Sequence, residues 1–291
     1  MHRLLPVFVV LAVTAAAMSG AGCATDRDRP KEKRERRYDG PVIDLHAHLV
    51  LTGAPDEAEQ YRKNAADPRL QKVAAIVTAP AGKPDETKTL NDNALALQQE
   101  NAKIVAVGSV HPADGSFALD ELERLALAGT KIVALHPAVQ GFDLADPRVA
   151  AVVQRCGERG IAVLIEGTAD SSMFGKTVAL ALKYPQAQLI IAHMGFTDFH
   201  DAALLVLTAK NAAYAENVWF DVSITAPVYV NSPYEEQLAW VIRRFPKKVL
   251  FGSEFPLFTS GAAIDAVQSL GLTEGEQADV LYGNAARLLK L

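Results

Sequence analysis

Val42-Ile43-Asp44-Leu45-His46-Ala47-His48 is the first strongly apolar stretch after the leader of this 291-residue chain. In a β-strand, residues i and i+2 share a face. His46 and His48 then aim two imidazoles at one point. In a parallel barrel that point is the mouth at the C-terminal ends of the strands, where such barrels do chemistry. Two convergent neutral imidazoles begin a divalent-metal site. Two unrelated histidines at a strand end are the plainer reading, and the rest of the chain decides between the two.

Working outward, one theme repeats. Short β-branched apolar runs occupy 42–45, 73–78, 103–110, 131–135, 161–165, 188–192, 218–222 and 248–251. Continuous apolar runs suit strands buried on both faces of a parallel sheet. Helical patterns lie between them at 91–99, 119–128, 150–158, 177–183, 202–210 and 234–244. Eight strand–helix units in about 250 residues predict an α/β fold, a single-domain (β/α)8 TIM barrel over 41–291. A doubly wound sheet is the rival, but no Gly-rich phosphate loop follows the first strand. The stretches 49–70 and 79–89 read as loops that shape the pocket.

The start of the chain reads differently. Met1-His2-Arg3 is a short positive start, and residues 4–18 are an apolar run of signal-peptide length. Ser19-Gly20-Ala21-Gly22-Cys23 resembles a bacterial lipoprotein signal, departing at Gly20 where such signals carry Leu. The reading is a signal peptide over 1–22, a lipidated Cys23, and a disordered charged tether to residue 40. A plain secretory leader is the alternative, and it too exports the protein. Ala24, not Asp, follows Cys23. The expected location is therefore the cell envelope, anchored in the outer membrane and facing the periplasm.

The tether holds seven basic and five acidic residues between 24 and 39. Taking its +2 and Arg3 from the net charge of −5 leaves −8 for residues 40–291. No basic surface dominates, which argues against a nucleic-acid partner. After Cys23 only Cys156 remains, so no internal disulfide supports the fold. Cys156 reads as a buried structural thiol. Oligomeric state is not legible.

Several apolar runs end in a polar residue. These are His46 and His48, His111, His136, Glu166, His193, Asp221 with Ser223, and Glu254. Only His2 and His200 among the seven histidines fall elsewhere. Five histidines, with Glu166 and Glu254, at strand ends favour a metal site over scattered structural histidines. His111-Pro112 reads as a structured turn. Asp221 and Ser223 read as caps or as supports behind the ligands. Trp219 and Trp240 read as packing residues.

The chain from Val42 to Leu291 resembles the amidohydrolase superfamily, in particular its amidohydrolase-related branch with aminocarboxymuconate-semialdehyde decarboxylase-like enzymes. The resemblance rests on the first motif, on Leu135-His136-Pro137-Ala138-Val139-Gln140-Gly141-Phe142, and on Ile191-Ala192-His193-Met194-Gly195. It rests also on Leu250-Phe251-Gly252-Ser253-Glu254-Phe255-Pro256 and on the closing segment 281–289. It implies one divalent metal, zinc first and manganese second, with His46 and His48 as ligands and His193 as general acid/base. Glu254 stands where the branch has Asp, and Glu166 where it has His. The implied ligand set is His46, His48, Glu166 and Glu254, with Glu254 also able to take a proton. His136 and Gln140 are expected to touch a small-molecule substrate, with His136 a substitute ligand. No lysine stands at the end of strand four to bridge two metals.

The implied activity is hydrolysis of an amide, ester or lactone through a metal-activated water. Non-oxidative decarboxylation in the same family is the alternative. A catalytically weakened ligand-binding barrel is the reading from a different class, motivated by the two Glu replacements.

Overall fold

The computed structural model describes residues 37–49, 56–167, 172–208 and 216–291. The leader, Cys23 and the tether up to residue 36 lie outside the described residues. Eight strands run in chain order among them. They are β1 (Val42–Asp44), β2 (Leu70–Ile76), β3 (Ile104–Ser109) and β4 (Ile132–Leu135), then β5 (Ala162–Ile165), β6 (Leu189–Ile191), β7 (Val218–Asp221) and β8 (Val249–Leu250). Each pairs in parallel with its neighbours in sequence.

The two edges of this sheet meet just beyond the strands. Leu45 N donates to Phe251 O at 3.0 Å, Glu254 N to His46 O at 2.7 Å and His48 N to Phe255 O at 2.8 Å. The sheet thus curls as in a TIM barrel, with a seam between the extensions of β8 and β1.

Every expected apolar run overlaps a strand, because strand residues are buried on both sides. Ile43, Ile76, Ile132, Leu164, Ile190 and Leu250 belong to an inner cluster. Val73, Val133, Val163, Leu189, Phe220 and Val249 belong to an outer cluster under the helices. Burying one such side chain contributes roughly 1.5–3 kcal/mol. The helix Asn284–Leu289 sends Ala285 and Leu289 into the inner cluster. Its Asn284 Nδ2 donates to Val249 O at 2.7 Å.

Two loop expectations are corrected. Residues 49–70 contain the helix Glu57–Ala65, and the helix Pro84–Glu100 begins inside 79–89. Pro84 supplies the fixed φ that suits a first helical position. Cys156 is buried and free, as expected. No helix among the described residues is long and apolar enough to cross a membrane.

The inner row sets up the site. Ala134, Leu164, Trp219 and Leu250 point inward. Two residues on from the first three stand His136, Glu166 and Asp221, and four on from Leu250 stands Glu254. Alternation therefore delivers polar side chains to the mouth.

Candidate metal centre

His46 and His48 reach the site by a slip in that alternation. Ile43 and Leu45 are inner residues, whereas Ala47 and Leu49 are outer ones. The slip falls between Leu45 and His46 and turns both histidines inward. Asp44 shapes it. Its Oδ1 accepts from His46 N at 3.2 Å and Ser253 N at 3.0 Å, and its Oδ2 from Ser260 Oγ at 2.6 Å. The two imidazoles converge as the i, i+2 spacing predicts, with Nε2 atoms 3.2 Å apart.

His193 follows Ala192, an inner residue, so strict alternation would send it outward. Its backbone reverses that. His193, Met194, Gly195 and Phe196 all take left-handed φ, at 55°, 52°, 84° and 48°. Such a conformation costs a non-glycine residue about 1–2 kcal/mol, so it needs support. His193 N donates to Asp221 Oδ1 at 3.1 Å, and the Thr225 hydroxyl donates to His193 O. The ring ends stacked on His46, with centroids 4.9 Å apart.

The two glutamates meet these rings. Glu254 Oε2 lies 3.0 Å from His46 Nε2 and 3.7 Å from His193 Nδ1. Glu166 Oε1 lies 3.6 Å from His46 Nε2, and its Oε2 lies 3.5 Å from His48 Nε2 and 3.2 Å from His136 Nδ1. Ligand atoms from His46, Glu166, His193 and Glu254 all fall within 4.8 Å of one another. His48 Nε2 stands at the edge of that group, 3.5 Å from Glu254 Oε1.

Behind the rings stand Asp221 and Ser223. Asp221 Oδ2 lies 3.1 Å from His46 Nδ1. Ser223 Oγ lies 2.8 Å from His193 Nδ1 and 3.2 Å from His46 Nδ1, and it donates to Asp221 Oδ1. Asp221 thus orients the His46 ring directly and the His193 ring through Ser223, the support a metal-binding imidazole commonly has.

The electrostatics follow from this crowding. Burial opposes a charge on His46, but Glu254, Asp221 and Glu166 outweigh it and lift its pKa well above the usual histidine range. His48 is raised in the same way, with Glu166 the strongest opponent of burial. Burial would raise Glu166, but His48 and His46 hold it down at about 2. Glu254 is held well below the usual range by His46 and His193 against its burial. His136 is lowered, because burial outweighs Glu166.

The remaining expected residues divide. His136 stands beside Glu166, within the site. The Gln140 side chain is held by three backbone groups. Its Nε2 donates to Ala79 O at 2.8 Å and Val110 O at 3.1 Å, and its Oε1 accepts from His136 N at 2.7 Å. The amide thus laces the ends of β2, β3 and β4 together. His111 caps the turn Pro112–Asp114, accepting from Ala113 N at 3.1 Å. Sequence reasoning assigned nothing to Asp44 or Thr225, whose roles depend on partners more than 30 residues away.

Eight parallel strands with a His/Glu cluster at their C-terminal rim make a barrel that can hold a metal ion. The amidohydrolase family profile matches residues 43–291, and the chain belongs to that family of enzymes. No curated protein matches the chain. Solved structures do. An uncharacterized TIM-barrel protein from Bordetella bronchiseptica is 16% identical, with TM-score 0.69, covering 86% of this chain and 98% of that one. A 2,6-dihydroxybenzoate decarboxylase from Rhizobium is 13% identical, with TM-score 0.65, covering 86% and 99%. A 5-carboxyvanillate decarboxylase from Novosphingobium aromaticivorans, with bound manganese, is 14% identical, with TM-score 0.64, covering 87% and 98%. At these identities the likeness is one of fold.

Proposed function

We propose that the protein is a metal-dependent hydrolase acting on an amide, ester or lactone bond. One observation carries the metal. Glu166 Oε1 and Glu254 Oε2 are buried and have no hydrogen-bond partner. Both lie near His46 Nε2. Buried carboxylate oxygens are satisfied by donors or by a cation, and this pair fits a cation. His46, His48, Glu166 and Glu254 would hold it, a donor set that suits zinc and also manganese. When bound, the cation supplies Lewis acidity toward a carbonyl and lowers the pKa of water, to about 7 for zinc.

The chain's own groups do the rest. His193 keeps Nδ1 on Ser223 Oγ, which leaves its other ring nitrogen to accept and return a proton. Glu254 is an anionic second acceptor. Gly252 lets the extension of β8 pass close to the His46 Cβ. A second reading, non-oxidative decarboxylation, is supported by the decarboxylases among the solved neighbours.

Metal analysis tests the assignment. Purified protein should carry one equivalent of zinc or manganese. His46→Ala and His48→Ala should each lose it, while His193→Ala should retain it and lose activity. A wild-type protein that stays metal-free after zinc or manganese is added would sink the proposal. A His193→Ala protein that loses metal would make His193 a ligand in place of His48.

From the leader we also propose that Cys23 is lipidated and tethers the barrel to the outer membrane, facing the periplasm. Cys23→Ala should release the protein from the membrane fraction. If it does not, the anchor lies elsewhere.

A further inference from the structure

Among the described residues, the segments that follow the strands are almost free of basic side chains. From the end of each strand to the next helix the chain carries one lysine, Lys83, and no arginine. Lys83 is exposed and lies 2.8 Å from Glu86 Oε2. Arg148 and Lys176 lie inside the helices Pro147–Arg159 and Ser172–Lys183 that follow β4 and β5. Arg148 lies 2.6 Å from Asp146 and Lys176 lies 2.9 Å from Asp143. At the centre stand three carboxylates, Glu166, Glu254 and Asp221. A divalent cation held by neutral imidazoles therefore leaves the centre with a net negative charge.

A cavity of about 290 Å³ opens beside His48. Tyr61 and Phe255 line it and meet edge to face, with centroids 6.2 Å apart. Asp56, Glu57 and Gln60 line it too, with Gln60 Nε2 donating to Asp56 Oδ2 at 2.6 Å. It joins the candidate ligand His48 to apolar rings and carboxylates, with no cation among its described lining residues.

We propose that this cavity receives the non-reacting end of the substrate, and that the substrate is uncharged or carries an amine there, not a carboxylate. This rests on the hydrolase reading above. A substrate carboxylate would need a paired donor such as Arg to offset its desolvation, and the described residues lining the cavity supply none. It would also face the carboxylates of the centre. An amine meets the opposite field from Asp56 and Glu57.

The test uses the metal-loaded full chain and a panel of aryl esters, anilides and lactones. Each is made in three versions, uncharged, aminomethyl and carboxyl. The expected kcat/KM for the carboxyl version is at least about tenfold below the other two at low salt, and the gap narrows as salt rises. The double variant Asp56→Asn, Glu57→Gln should bring the aminomethyl version down to the uncharged one. A carboxyl version turned over as well as the uncharged one overturns the inference and leaves the hydrolase standing. So does a charge preference that the double variant does not change. A panel in which nothing is hydrolysed removes the hydrolase reading, and the inference with it. In that case CO₂ release from carboxylated phenols would establish the decarboxylase.

Discussion

Asp221 touches two histidines with one carboxylate. Its Oδ2 faces His46 Nδ1, and its Oδ1 receives the amides of His193 and Ser223. Asp221→Asn would offer His46 Nδ1 an amide that can favour the wrong tautomer. Metal affinity should fall about 10–100-fold, measured by competition with a chromogenic chelator; unchanged affinity would make Asp221 only a backbone brace. His193 shows what the sequence could and could not disclose at this scale. Its type and its place after an apolar run marked it as a candidate. Its direction depended on four consecutive left-handed residues, and nothing in Met194 or Phe196 announces that conformation. The i, i+2 spacing of His46 and His48 predicted their convergence. Yet both lie past the end of β1, where Asp44 turns the chain.

Among the elements, the extensions of β8 and β1 approach each other closely. A Cβ on Gly252 would come 2.3 Å from His46 Cβ and 3.0 Å from Ser223 Cβ. Gly252→Ala should therefore displace His46 as well as strain the fold. A loss of about 1–3 kcal/mol is expected from overpacking alone, together with lost metal. Thermal unfolding and elemental analysis check both, and a variant that keeps wild-type stability and metal would contradict the close fit. Strands were legible because burial on both faces makes each an unbroken apolar run. The helix Glu57–Ala65 was not. Its buried side chains are only Tyr61, Asn64 and Ala65, and polar residues fill the rest. Such a stripe is too thin to separate from a loop. The structural part played by Gln140 was hidden for a similar reason. Its polar side chain near the mouth gave no sign that three backbone groups use it.

For the whole molecule, the expected ligands come from β1, β5 and β8, so binding a cation should stabilise the entire barrel. At a hundredfold excess over Kd the gain is about 2.7 kcal/mol. Acid should shrink it. His46 and His48 have folded-state pKa values above their usual 6.5. In chelator-treated protein their protonated forms contribute stability below pH 6.5, and that contribution is lost as pH rises through the raised values. Protons and metal compete for the same nitrogens. The midpoint difference between metal-loaded and chelated protein should therefore widen from pH 6.5 upward. A difference that is constant with pH would mean that the histidines are not the ligands.

The seam has a consequence for time as well as for energy. The hydrogen bonds that join β8 to β1 involve the backbones of His46, His48 and Glu254 themselves. Breathing of the barrel at this clasp pulls candidate ligands apart, and a cation seated between them holds the clasp shut. Ion escape and local opening are then one event. The dwell time of the metal should match the protection of the Glu254 amide against deuterium, and release into a chelator faster than that exchange would separate the two.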